Sequence, residues 1–159
     1  AWESVVLFDE VWKETPPYSD RFHLFRIIVH LAKYWTAELA VQTAKWCMEV
    51  HGGMGTLAEF GVERWLREAM ILAIWEGPPH RQILDGIEAM ERKGAHRLLF
   101  NHLAPGANAH ELGDMVRRVE AHLTLPPDER EARAEPIFRD LAQFTGSALA
   151  KKHELELRK

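Results

Sequence analysis

From Phe22 onward the apolar residues Phe25, Val29, Ala32, Trp35, Leu39, Thr43, Trp46 and Val50 recur at three- and four-residue steps. That spacing predicts one long amphipathic helix, with Asp20 as its N-cap and His51-Gly52-Gly53 closing it. A stripe of this length must be covered, so neighbouring segments are expected to be helices too. Trp2 to Glu14 reads as one, stopped by Thr15-Pro16-Pro17, and Val62, Trp65, Leu66, Ala69 and Leu72 mark another. Gly77-Pro78-Pro79 breaks that helix, and Gln82 to Lys93 starts the next. Packing of these stripes on one another predicts that Trp35, Trp46 and Trp65 are substantially buried.

After Lys93 the pattern weakens, and residues 95–108, with Pro105 and Gly106, read as a linker. Leu112, Val116, Val119 and Leu123 form one further stripe, and Ile137, Phe138, Leu141 and Leu149 another, with Pro126-Pro127-Asp128 turning the chain between them. The fold class is therefore all-α: an antiparallel helical bundle over residues 1–94, a linker, and an extra C-terminal helical hairpin over residues 109–159. No alternating strand pattern and no repeat is present.

Several function classes are excluded by what the chain lacks. A net charge of −4 supplies no basic field to draw in nucleic acid or an anionic membrane. The tail from Ala95 carries ten basic and ten acidic residues, so DNA binding would require Arg117, Arg118, Arg130 and Arg133 to cluster on one face. The single cysteine, Cys47, lies in the apolar stripe and reads as core, which fits a reducing compartment. No apolar run of membrane-spanning length occurs, and a cytoplasmic location is expected. The nine histidines include no HExxH or ExxH pair, and no metal site is expected. The chain opens at Ala1, directly inside helical sequence, and reads as a piece of a longer protein.

The chemistry concentrates between His51 and Gln82. Gly52, Gly53 and Gly55 remove side chains so that a ligand phosphate could reach backbone N–H groups, although a plain helix-ending loop explains the glycines equally. Arg64 and Arg67 read as a solvated face. Glu76, between Trp75 and Gly77 at an apolar helix end, is partly stripped of water and near the negative end of a helix dipole, conditions that suit a general base. An exposed glutamate before a turn is the alternative.

Taken together, VHGGMG, EFGVERWLREA and IWEG resemble the C-terminal domain of acyl-CoA dehydrogenases, whose pattern is an (I/V)xGGxG loop, an acidic residue and an aromatic, an (R/Y)RD or (R/Y)RE helix and a (Y/W)EG tripeptide. The Trp-Glu-Gly form, the Arg67-Glu68 pair and the long tail after Lys93 look most like the alkylation-response (AidB-like) branch. The resemblance implies that Glu76 removes the α-proton of an acyl-CoA thioester while a β-hydride passes to FAD. It also implies that Gly52, Gly53 and Gly55 touch the flavin dinucleotide of a neighbouring subunit, within a homodimer or homotetramer. His80 and Gln82 fall where the family holds its flavin. Pro78 and Pro79 depart from the pattern, since they lack N–H donors and replace the usual hydroxyl. The family's N-terminal helical domain, its β-sheet domain and the first bundle helix are not in these 159 residues, so the chain alone is expected to be inactive. The alternative is a non-catalytic helical scaffold or DNA-associated module that keeps the dehydrogenase frame.

Overall fold

A computed structural model describes residues 1–157, apart from the Glu156 side chain, and these form helices and connecting turns only. We label the helices α1 (Trp2–Val11), α2 (Asp20–Val50), α3 (Val62–Ile74), α4 (Pro79–Lys93), α5 (Ala95–Leu103), α6 (Ala109–Leu123), α7 (Pro127–Ala132) and α8 (Ala134–Leu157); two 3₁₀ turns, Gly52–Thr56 and Ala58–Phe60, join α2 to α3. The N-cap of α2 is Ser19, whose hydroxyl accepts from Phe22 N at 3.2 Å. Asp20, expected in that role, is the first helical residue, where its charge still complements the helix dipole.

With 31 residues, α2 is roughly 46 Å long, more than the core of a domain this size can enclose. It is buried only from Leu24 to Ala37, where α1, α4, α5 and α8 pack around it. One continuous core runs from Leu7 through Ile27, Leu31, Ile83, Leu99 and Leu103 to Phe138 and Leu141. Beyond Ala37 the second half of α2 leaves the core and is joined mainly by α3 and the Gly52–Thr56 turn, making a two-helix arm. This corrects the expectation for the tryptophans: Trp35 is half-buried, but Trp46 and Trp65 lie on the arm and are 52% and 67% exposed. Their stripes are regular, but one helix partner covers a single side. Cys47 lies on the same arm and is exposed, not core.

The segment read as a linker, 95–108, is largely α5. Ala95, Leu99 and Leu103 are fully buried, and Gly94, at φ +62°, makes the turn from α4 so tight that the helix break shows little loop signal. Only residues 104–108 connect, and Asn108 caps α6 by accepting from His110 N and Glu111 N. α6 and α8 form the expected hairpin, with α7 in the turn, but it shares the core and is no separate layer. Gly86 lets α4 approach α8: a Cβ there would meet Phe138 Cε2 at 2.4 Å. Glu3 of α1, 6% exposed, ties down the tail by bonding His102 of α5 and lying 3.6 Å from Lys152 and 3.0 Å from His153, both of α8. Burial would raise the pKa of Glu3, but the His102 hydrogen bond and the charges of Lys152, His102 and His153 outweigh it and hold it low.

Two outcomes follow from a shared core. All six tryptophans precede Ile83, so their fluorescence reports α1 to α3, while Phe138→Ala empties space in α8. If the core is one cooperative unit, that substitution lowers the tryptophan-detected unfolding free energy by about 3–5 kcal/mol; an unchanged transition would mean that the hairpin folds separately. The second concerns pH. His23, His30, His96, His102 and His122 all have pKa values pushed below the ordinary 6.5, in each case first by burial. The unfolded chain therefore binds more protons than the folded one as pH falls below 6.5, and stability must fall with it. The melting temperature should drop between pH 7.5 and pH 5.5; a flat profile would show that these rings gain compensating partners on protonation.

Candidate active site

The turn carrying Glu76 is made by three consecutive departures from helix. α3 stops at Ile74, Trp75 turns extended (φ −74°, ψ 156°), Glu76 takes φ +55° and Gly77 φ +104°. Pro78 and Pro79 then start α4, where a missing N–H costs nothing. Among the described residues Glu76 is the only non-glycine with positive φ, a conformation that costs about 1–3 kcal/mol and persists only where neighbours enforce it.

The enforcing residue is Gln82, one turn into α4 and only 7% exposed. Its amide nitrogen donates to the carbonyls of Glu76 at 3.2 Å and Gly77 at 3.3 Å, and its oxygen lies 2.9 Å from His30 Nδ1. Because both amide hydrogens go to the turn, the oxygen must accept, and His30 carries its proton on Nδ1. Burial lowers the His30 pKa, against the raising effect of the Gln82 bond. Three residues further along the same face of α2, the Lys33 ammonium donates to Leu72 O, one of the unpaired carbonyls ending α3. Gly77 is required as well, since a Cβ there would stand 2.8 Å from the Gln82 amide nitrogen. The turn is thus held from α2 through His30 and Lys33, neither of which the sequence marked out.

The Glu76 carboxylate is exposed, and among the described residues it makes no hydrogen bond or ion pair. The expected desolvation is not supplied by this chain. Its neighbours Ile71, Ile74 and Trp75 are more than half exposed too, so the carboxylate stands in an uncovered apolar patch. Glu76 and the 51–56 loop do not adjoin. α3, 13 residues long, runs back along α2 between them and holds them roughly 20 Å apart. Within the loop the glycines divide. Gly55 is needed by the fold, because a Cβ would lie 2.4 Å from Met48 O, whereas Gly52 (φ +60°) and Gly53 face open space. His80 is exposed beside the turn, and Gln82 is fully engaged in holding it. Of the arginines considered for DNA contact, Arg117, Arg118, Arg130 and Arg133 are each paired with a carboxylate. Among the described residues no cluster of His, Cys, Asp or Glu could hold a metal, and no helix is long and apolar enough to cross a membrane.

Removing the pin tests this account. Gln82→Leu keeps the volume but strands two carbonyls and the His30 N–H, so it should cost about 1–3 kcal/mol by chemical denaturation. It should also abolish amide hydrogen-exchange protection first at the start of α4. A neutral effect would mean that the turn holds itself.

Comparison with known proteins bears on this turn directly. Residues 18–91 match the family model described as "Acyl-CoA dehydrogenase, C-terminal domain". The chain is 44% identical over 116 residues to 3-methylmercaptopropionyl-CoA dehydrogenase of Ruegeria pomeroyi, covering 73% of this chain and 17% of that protein. It is 38% identical over 47 residues to 3-(aryl)acrylate reductase of Clostridium sporogenes, covering 30% and 12%. Among solved structures, the apo form of Bd2924 superposes with a TM-score of 0.77 at 25% identity, over 96% of this chain and 30% of that one. The chain therefore spans less than a fifth of the length of these curated relatives. The matched segment runs from the α1–α2 connection through the Glu76 turn to the last turns of α4, and over that segment the chain is similar to the acyl-CoA dehydrogenase C-terminal domain family.

Proposed function

We propose that this chain is the C-terminal domain of an FAD-dependent oxidoreductase that dehydrogenates an acyl-CoA thioester between Cα and Cβ, with Glu76 as the base. The supporting observation is the Glu76 turn: an unpaired carboxylate, displayed in a strained conformation and held from behind by Gln82, His30 and Lys33. A base needs a fixed position and a free lone pair, and the turn supplies both. In the intact protein the substrate and further domains would cover Ile71, Ile74 and Trp75 and exclude water from the carboxylate, which then takes the α-proton on a side-chain oxygen. Flavin, when bound, supplies the acceptor for the β-hydride, so that both electrons of the broken C–H bond are accounted for.

The residues present fit a flavin only in part. Gly52 and Gly53 leave their backbone open to a dinucleotide, and His80 is free to approach one, whereas Gln82 is committed to the turn and Pro78-Pro79 offers no N–H. The separation of the glycine loop from Glu76 favours a shared arrangement, in which each loop serves the flavin of a second copy in a homo-oligomer. The apolar arm, with Trp46, Trp65, Phe60 and Ile74 exposed, is a surface such a copy would cover. The alkylation-response branch remains the finer alternative, carried by the Trp75-Glu76-Gly77 form and the tail. Against it stands the pairing of Arg117, Arg118, Arg130 and Arg133 with carboxylates, which weakens the positive field a duplex would need.

In the intact protein Glu76→Gln preserves shape and removes basicity. Flavin reduction by an acyl-CoA in a single turnover should slow by roughly 10²–10⁴-fold, with flavin still bound. Reduction at the normal rate would remove Glu76 from the role of base, and a protein carrying no flavin would favour the scaffold reading.

A further inference from the structure

At the opposite end of α4 from Glu76, a cavity of about 660 Å³ opens between the α1–α2 connection, the first turns of α2 and Lys93. The 15 residues of α4 put its Lys93 end roughly 20 Å from the Glu76 turn, while its far wall reaches His30, the ring that bonds Gln82. One side is an aromatic wall: Tyr18 stacks on Phe22 with centroids 4.0 Å apart, and Phe25 lies 6.1 Å beyond. The other side is cationic. Lys93 and Arg26 both line the cavity, and no carboxylate does. Lys93 forms no ion pair among the described residues, and Arg26 reaches Glu88 only at 4.0 Å. His23 lies in the same wall, its Nδ1 buried without a partner.

The surrounding acids do not neutralise this field. Glu14 is bonded to the backbone and hydroxyl of Ser19, and Asp85, which faces His30, is paired with Arg81 at 3.0 Å. Asp20 stands exposed on the first turn of α2 and acts on His23, yet burial together with Lys93 and Arg26 outweighs it and lowers the His23 pKa.

We propose that this cavity is a second binding site, apart from the Glu76 turn, for a small organic anion with a flat apolar body. The volume is that of a small-molecule pocket. The aromatic wall accepts a ring or acyl body, and the Lys93 ammonium, with the Arg26 guanidinium behind it, takes the anionic head. A cationic ligand would meet two positive charges, and a purely apolar one would leave them unpaired.

The test uses the intact protein and phenyl phosphate as the probe, followed by titration calorimetry. Saturable binding at one site per chain is expected, with phenol, the same ring without the charge, weaker by roughly tenfold or more. Lys93→Glu, at an exposed helix end, should weaken phenyl phosphate by a similar factor without altering the melting temperature, Lys93→Arg should restore it, and Phe22→Ala should weaken both probes. Flavin reduction by acyl-CoA should be unchanged in Lys93→Glu, which keeps this site separate from the Glu76 reading. Absence of phenyl phosphate binding at millimolar concentration, equal binding of phenol, or indifference to Lys93→Glu would each overturn the proposal.

Discussion

The structure depends on one helix being longer than the core that holds it. Burying all of α2 would take a layer of helices along its whole length, and the chain has enough only for the stretch from Leu24 to Ala37. There α4, α5 and α8 contribute Ile83, Ile87, Leu99, Leu103, Phe138 and Leu141 to a single core. Each fully buried side chain of that kind contributes about 1.5–3 kcal/mol over leaving it exposed. The remainder of α2 is carried out of the core as a rigid arm, and the α3 that folds back along it inherits its exposure.

That division determines where chemistry can occur. A turn at the junction of arm and core is anchored to buried structure on one side and open on the other. The Glu76 turn sits at this junction, with Gln82 and His30 belonging to the packed half and Ile71, Ile74 and Trp75 to the open half. The backbone strain at Glu76, about 1–3 kcal/mol, is offset by two hydrogen bonds from Gln82 and one from Lys33 at net values of about 1 kcal/mol each. The balance is close, which explains why the amide, the imidazole and the ammonium are all in place. The carboxylate itself is left exposed beside the apolar side chains of Ile71, Ile74 and Trp75.

The tail is part of the same object. Glu3 at one end of the chain is bonded to His102 and flanked by Lys152 and His153 near the other, so α1, α5 and α8 close on a nearly buried charge. Losing a partner of such a group is costly because the charge left behind cannot return to water. The 116-residue match and the superposition over 96% of the chain both exceed the 18–91 segment, in keeping with a tail that packs as one fold with the bundle.

By itself the sequence determined the local structure and the chemical identities. Apolar spacing read out α2 as a helix, although its buried face is Leu24, Ile27, Ile28, Leu31, Tyr34 and Ala37 and not the stripe from Phe25 to Val50. It also read out the hairpin helices; Gly77-Pro78-Pro79 marked the turn, because glycine and proline act through their own φ; and the run from Gly52 to Gly77 pointed to the family. The sequence could not show that Trp46, Trp65 and Cys47 would be exposed, since a stripe records a face suited to burial and not whether anything covers it. α5 was missed because its helix break, at Gly94, is a single left-handed residue and its own apolar face is brief. Only the tertiary structure decided that Gln82 serves the turn, that His30 and Lys33 hold it, and that the glycine loop stands a helix length away from Glu76. These are relations between residues 5 to 52 positions apart in the chain, created by packing and without any local periodicity to announce them.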